Sequence, residues 1–201
     1  VIGTLKLDSD IAALSVQAFT EGPGLHPLCP GIASHYCAVI TWEDQTVRLV
    51  DLCSADSGAK DAVSGNLSII AETKLRTEVQ ARSVILATLG KNPNDSSEEN
   101  SLDSGNGSSS DATSSDRAAS SGNFLVVGFG DGGLNAFPMR SDNNQDGVKI
   151  RICEEECRNT NIGTKSLHLD AFITSSNSSC IWAGGESPTV LHYSKGKLSF
   201  S

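Results

Sequence analysis

The sequence predicts an all-β fold, and three observations predict it. A glycine-rich stretch, Asn123–Phe137 (NFLVVGFGDGGLNAF), sets two short apolar runs, Phe124–Val127 and Leu134–Phe137, on either side of Asp131-Gly132. Tight hairpin turns place residues at positive φ, where a Cβ clashes and glycine does not. The same strand–turn–strand pattern recurs in Cys37–Leu52 around Glu43-Asp44 and in Ser179–Tyr193 around Gly184–Ser187. The spacing is also regular. Asp44 and Asp131 lie 87 residues apart, 55 once the 32-residue stretch 91–122 is set aside, and Asp131 and Glu186 are again 55 apart. Hairpins at a fixed period predict a β-repeat protein. As a β-propeller (WD-like) fragment of about three blades, an incomplete ring, it would have long blades with irregular loops, since blades typically run about 40–50 residues.

The chain divides into propeller blades over 1–90, an insertion over 91–122 and further blades over 123–201. In the first part, Leu14, Val16 and Ala18 alternate as in a strand, behind a turn at Asp8-Ser9-Asp10. Glu21–Pro30, with three prolines and two glycines, is loop, and His26 and His35 in or beside it read as solvated side chains. Ser54–Gly65 is loop again. Leu67–Leu75 and Val84–Leu89 are strands, the second a continuous apolar run of the kind buried on both faces. Of the 32 residues in 91–122, eleven are serine, six are acidic, and Leu102 is the only large apolar side chain. Such a segment cannot bury enough surface to offset its ordering entropy, so disorder is predicted, with serines beside acids as possible phosphorylation targets. In the last part Val148–Cys153 alternates like a strand, and Leu167, Leu169 and Ala171 alternate with His168 and Asp170 as in a half-buried one.

Few residues offer chemistry. GFGDGG superficially resembles a dinucleotide fingerprint, but that motif needs a helix straight after its glycines and strand-like LNAF follows. Asp142, Asn144, Asp146 and Gly147 match positions 1, 3, 5 and 6 of a calcium loop, yet Lys149 and Cys153 stand at positions 8 and 12. An Asx-rich turn fits better. Cys153 and Cys157 have no second pair at zinc spacing, and Cys37 and Cys180 sit in apolar strands as small hydrophobes. His168 and Asp170 share a strand face, but no nucleophile elbow accompanies them. The sequons at Asn66, Asn94, Asn106 and Asn177 are expected by chance in a serine-rich chain. No catalytic, cofactor or metal site is predicted. The net charge is −9, and −5 without the insertion, which disfavours direct nucleic-acid binding. No apolar run is long enough to span a membrane.

Four motifs carry a resemblance to the damage-specific DNA-binding protein 1 family. CAVITWEDQTVRLVDL, ARSVILATL (Ala81–Leu89), FLVVGFGDGGL (Phe124–Leu134) and GTKSLHLDAF with ESPTVLHYS (Gly163–Phe172, Glu186–Ser194) are similar to runs in that family's second propeller, in the same order. The family is related to the large subunits of cleavage/polyadenylation and splicing factors. Departures lie at Ala81, where the family has proline, at Glu186-Ser187, and in the serine-rich insertion. The resemblance implies a non-enzymatic scaffold without cofactors, the adaptor of a cullin-RING ubiquitin ligase acting in DNA repair in nucleus and cytoplasm. It implies a cullin scaffold as partner, substrate receptors bound through the rest of a longer parent chain, nucleic acid at most indirectly, and no membrane.

Trp42 stands where the family has a tryptophan on its cullin-facing side. An exposed aromatic is what an interface uses, and packing at a blade edge is the alternative. Asp44 and Asp131 read as turn-formers. An RNA-processing scaffold of the same superfamily is the second reading. A propeller enzyme would need charged groups converging on its channel, and the sequence offers no recognisable set. The start at Val1 and the strand-like KLSFS ending suggest a piece of a longer protein. Three blades alone are expected to leave strand edges unpaired and to aggregate.

Overall fold

The computed structural model describes residues 4–19, 34–52, 67–75, 77–91, 121–144 and 147–201. They form thirteen strands, with no α-helix among the described residues. The strands group into three antiparallel meanders. The first blade is β1 (Ile11–Phe19), β2 (Ser34–Thr41), β3 (Thr46–Asp51) and β4 (Ser68–Lys74), hydrogen-bonded in that order. The second is β5 (Ala81–Lys91), β6 (Ser121–Phe129) and β7 (Gly133–Asn144), with a fourth strand in two pieces. β8 (Gly147–Ile152) pairs with the far half of β7, from Met139 to Asn144. A 3-10 turn at Glu154–Glu156 then leads to β9 (Arg158–Asn161), which pairs with the near half, Gly133 to Ala136. The third blade is β10 (His168–Ile173), β11 (Ser178–Gly184), β12 (Thr189–Ser194) and β13 (Lys197–Phe200). β11 also pairs with the end of β5, Ser178 opposite Lys91 and Ser179 opposite Gly90, so that blades two and three join in one sheet.

All three repeated hairpins occupy one structural position, the link between the second and third strands of a blade. The 55-residue period is therefore the blade repeat, and the glycine-rich segment is a hairpin with β7 following its glycines. The insertion lies between β5 and β6, whose ends meet where Gly90 pairs with Ser121. The disorder expected for the insertion falls on residues outside the described ones, apart from Lys91, Ser121 and Gly122, which belong to these strands. The calcium-loop mimic is the β7–β8 hairpin, closing at Asn144 and Gly147; Asp146 lies outside the described residues.

Side-chain alternation explains how the blades stack. On β5, Val84 and Leu86 point into one core and Ile85, Ala87 and Leu89 into another; on β6, Leu125 and Val127 oppose Phe124 and Val126. The first core is shared with Tyr36, Ile40, Val47 and Leu49 of blade one, the second with Leu169, Ile181, Ala183 and Leu191 of blade three. Blade two is thus buried on both faces, as the apolar run Val84–Leu89 predicts. A third, smaller core holds Cys37, Val39 and Val50 on the far face of blade one, with Leu5, Leu7, Leu52 and Leu67 packed against it.

One expectation changes. Ala171 does not continue the buried alternation: burial on β10 stops at Leu169, which packs into the second core, and Ala171 is exposed. The end blades also leave apolar side chains open on their faces. Leu14 and Val16 on β1 and Ile69 on β4 lie open on one end blade, Phe172 on β10 and Trp182 on β11 on the other.

Leu125→Ala, at a fully buried position, should cost about 2–5 kcal/mol in denaturant unfolding. Ile69→Ala, at 42% exposure, should cost less than about 1 kcal/mol. Similar losses at both sites would contradict the assignment of cores and open faces.

Candidate functional site

The predicted site residue, Trp42, sits at the tip of the β2–β3 hairpin. Its turn is built by local side chains. Gln45 takes a left-handed conformation, φ 49°, which lets the chain reverse without glycine. Asp44 Oδ1 accepts the Thr46 N–H at 3.1 Å and the Thr41 hydroxyl, and Asp44 Oδ2 accepts from Arg48 at 2.7 Å. Burial pushes the Asp44 carboxyl up, but the bonds from Arg48, Thr41 and Thr46 and the Arg48 charge outweigh it. The carboxyl is held well below the usual carboxylate range. Asp131 repeats the device in the next hairpin, its Oδ1 accepting the Gly133 N–H at 2.9 Å. Both aspartates are turn-formers, as the sequence indicates.

The three tips are tied together. Gln45, buried between blades, donates through Nε2 to the Trp42 carbonyl at 2.7 Å and to Gln80 Oε1 at 2.5 Å. Its Oε1 accepts the Ala81 N–H at 3.0 Å, and the Gln80 carbonyl accepts the Gly130 N–H at 3.0 Å. Tip one is thereby linked to tip two. From tip two, the Gly132 carbonyl accepts the Ile162 N–H at 2.9 Å and the Asp131 carbonyl accepts from Asn161 Nδ2 at 3.2 Å. The Ile162 carbonyl then accepts the Ser187 N–H at 3.3 Å, and Glu186 Oε2 accepts the Thr164 N–H and hydroxyl at 3.0 and 2.8 Å. This runs on to tip three. Gly132 has φ +81°, and a Cβ there would fall against the Gly163 carbonyl, so glycine is required.

Trp42 is 38% exposed, with the Arg82 guanidinium 5.0 Å from its ring centroid. Such a cation–π contact orients the indole while leaving part of it open. Packing and exposure, alternatives in the sequence, coexist here. Sequence reasoning missed Gln45, Gln80 and Arg82, because their contacts join residues about 35–40 positions apart and depend on blade stacking.

The other candidates are placed apart. His168 and Asp170 are both exposed on β10, with no hydrogen bond between them among the described residues. Cys153, Glu155 and Glu156 offer ligand atoms within 4.8 Å of one another. Their carboxylates are engaged, however, Glu155 with Arg151 at 3.0 Å and Glu156 with Arg140 at 2.6 Å. Burial raises the Cys153 thiol, and burial pushes Cys157 up to about 11, so both favour the protonated form over the thiolate a metal needs. No helix among the described residues is long and apolar enough to cross a membrane.

Stacked four-stranded meanders with tied hairpin tips form an arc of a β-propeller, and a family model for the RSE1/DDB1/CPSF1 second beta-propeller matches residues 2–201. The chain belongs to this family. No curated protein matches it. Members of the RSE1/DDB1/CPSF1 second-propeller family are scaffolds, and the tied tips suit that role, since a scaffold presents contacts without rearranging.

Gln45→Ala should leave the Ala81 N–H unpaired and cost roughly 1–3 kcal/mol, read by denaturant unfolding. The depressed Asp44 carboxyl stabilises the fold above its unfolded value of about 4, and this contribution is lost as pH falls through the lower folded value. Asp44→Asn should therefore flatten the loss of stability below about pH 4. An unchanged acid profile would separate Asp44 from the fold's pH dependence.

Proposed function

We propose that the chain is part of a damaged-DNA-binding-protein-1-like adaptor for a cullin-RING ubiquitin ligase, with the hairpin tips as its cullin-facing surface. The observation that carries this reading is Trp42, part-exposed beside Arg82 on a turn whose every anchor is internal to the fold. Tryptophan and arginine are the side chains that most often dominate protein interfaces, and a pre-ordered surface spends little binding energy on ordering itself. Substrate receptors then bind other parts of the parent protein, in nucleus and cytoplasm, and DNA is reached through them. The mechanism is one of shape: no bond is made or broken, and the tips hold a partner at fixed geometry.

Affinity purification of the full-length protein, with Trp42→Ala alongside wild type, tests the reading by mass spectrometry. A cullin should be captured by wild type and depleted roughly tenfold or more in the variant, the loss expected for an interface anchor worth over about 1.4 kcal/mol. Cleavage, polyadenylation or splicing subunits in its place would assign the protein to the RNA-processing branch of the superfamily. Equal cullin capture by both proteins would return Trp42 to packing.

A further inference from the structure

The opposite end of the arc carries different chemistry. Between blades two and three lies an open groove of about 740 Å³, floored by Phe124, Met139, Leu198 and Tyr193. Phe124 and Tyr193 meet at 5.4 Å with tilted rings. Arg140, Arg158 and Lys197 line its rim, and a second hollow of about 320 Å³ across Tyr193 is lined by Lys91, His192 and Lys195. The groove's two carboxylates, Glu155 and Glu156, are already engaged by Arg151 and Arg140. Lys91, Arg158, Lys195 and Lys197 are exposed and have no ion-pair partner among the described residues. Ser121, buried in the groove wall, has a hydroxyl with no hydrogen-bond partner among the described residues. Four cations without an ion-pair partner among the described residues gather at one end of a chain of net charge −9.

We propose that this groove docks an acidic peptide segment of a partner protein. Carboxylates or phosphates along the peptide would be met by Arg158, Lys197, Lys195 and Lys91. The groove floor would take an apolar or aromatic side chain interleaved with them, against Tyr193. Cations flanking an aromatic floor suit a short extended chain with mixed acidic and apolar residues. A nucleic acid would demand a longer basic stripe, and the acidic remainder of the surface would repel it.

The test is fluorescence anisotropy of the full-length protein with a labelled peptide of alternating glutamate, phosphoserine and leucine, beside a labelled oligouridylate. Arg158→Glu/Lys197→Glu is compared with wild type and with Lys165→Glu, a charge reversal in the loop near the hairpin tips. Saturable peptide binding, weakened roughly tenfold or more by the double reversal and by added salt but not by Lys165→Glu, is expected. Unfolding midpoints of the three proteins exclude a folding defect as the cause. No peptide binding, equal loss in both variants, or tighter binding of the oligouridylate would overturn the proposal. So would peptide binding seen only after residues 95–116 are deleted, which would make the chain's own acidic stretch the occupant.

Discussion

Two-sided burial of the second blade is the constraint on which the remaining architecture depends. Alternate side chains of β5 and β6 enter two different cores, so the sheet cannot shift register by one residue without exchanging both sets. Leu86, Leu125 and Val127 hold blade one, while Leu89, Val126 and Leu134 hold blade three. The two outer blades do not share a core; each is oriented through the one between them. The relative positions of the three hairpin tips therefore follow from apolar packing, and the hydrogen bonds at the tips refine them.

Those hydrogen bonds turn packing into a presented surface. Gln45 satisfies backbone groups of two neighbouring segments at once, and the Gly132–Ile162–Ser187 relay continues the link to the third blade. Each bond contributes only about 0.5–1.5 kcal/mol net, but leaving a buried partner unpaired costs more, so the chain of contacts resists opening at any single point. A surface so constrained gains affinity by avoiding ordering costs. Its character is aromatic and acidic around Trp42, Glu43 and Glu186, whereas the opposite end is cationic around Lys197 and Arg158. The two proposed sites thus lie at opposite ends of the arc and differ in charge.

What could be read from sequence was local. The three hairpins, their Asx turns at Asp44 and Asp131, and the doubly buried strand at Val84–Leu89 each depend on residues close in the chain. The split fourth strand of blade two was not legible, because Val148–Cys153 shows the strand pattern while Arg158–Asn161 is polar throughout and is held in place only by pairing with β7. Ala171 fits an alternating pattern that sequence cannot terminate; on β10 only Leu169 reaches a core. The environment of Trp42 was undecidable for a related reason. Arg82 lies 40 residues further along, and only blade stacking brings its guanidinium over the ring.

The most direct measurement is hydrogen–deuterium exchange of the full-length protein, alone and with a purified cullin scaffold. New protection should be confined to the hairpin tips, around residues 42–45 and 80–83, with the groove at the opposite end unchanged. Protection at the groove or on the open face of β10 and β11, with the tips exchanging as in the free protein, would contradict the placement of the interface and with it the role given to Trp42.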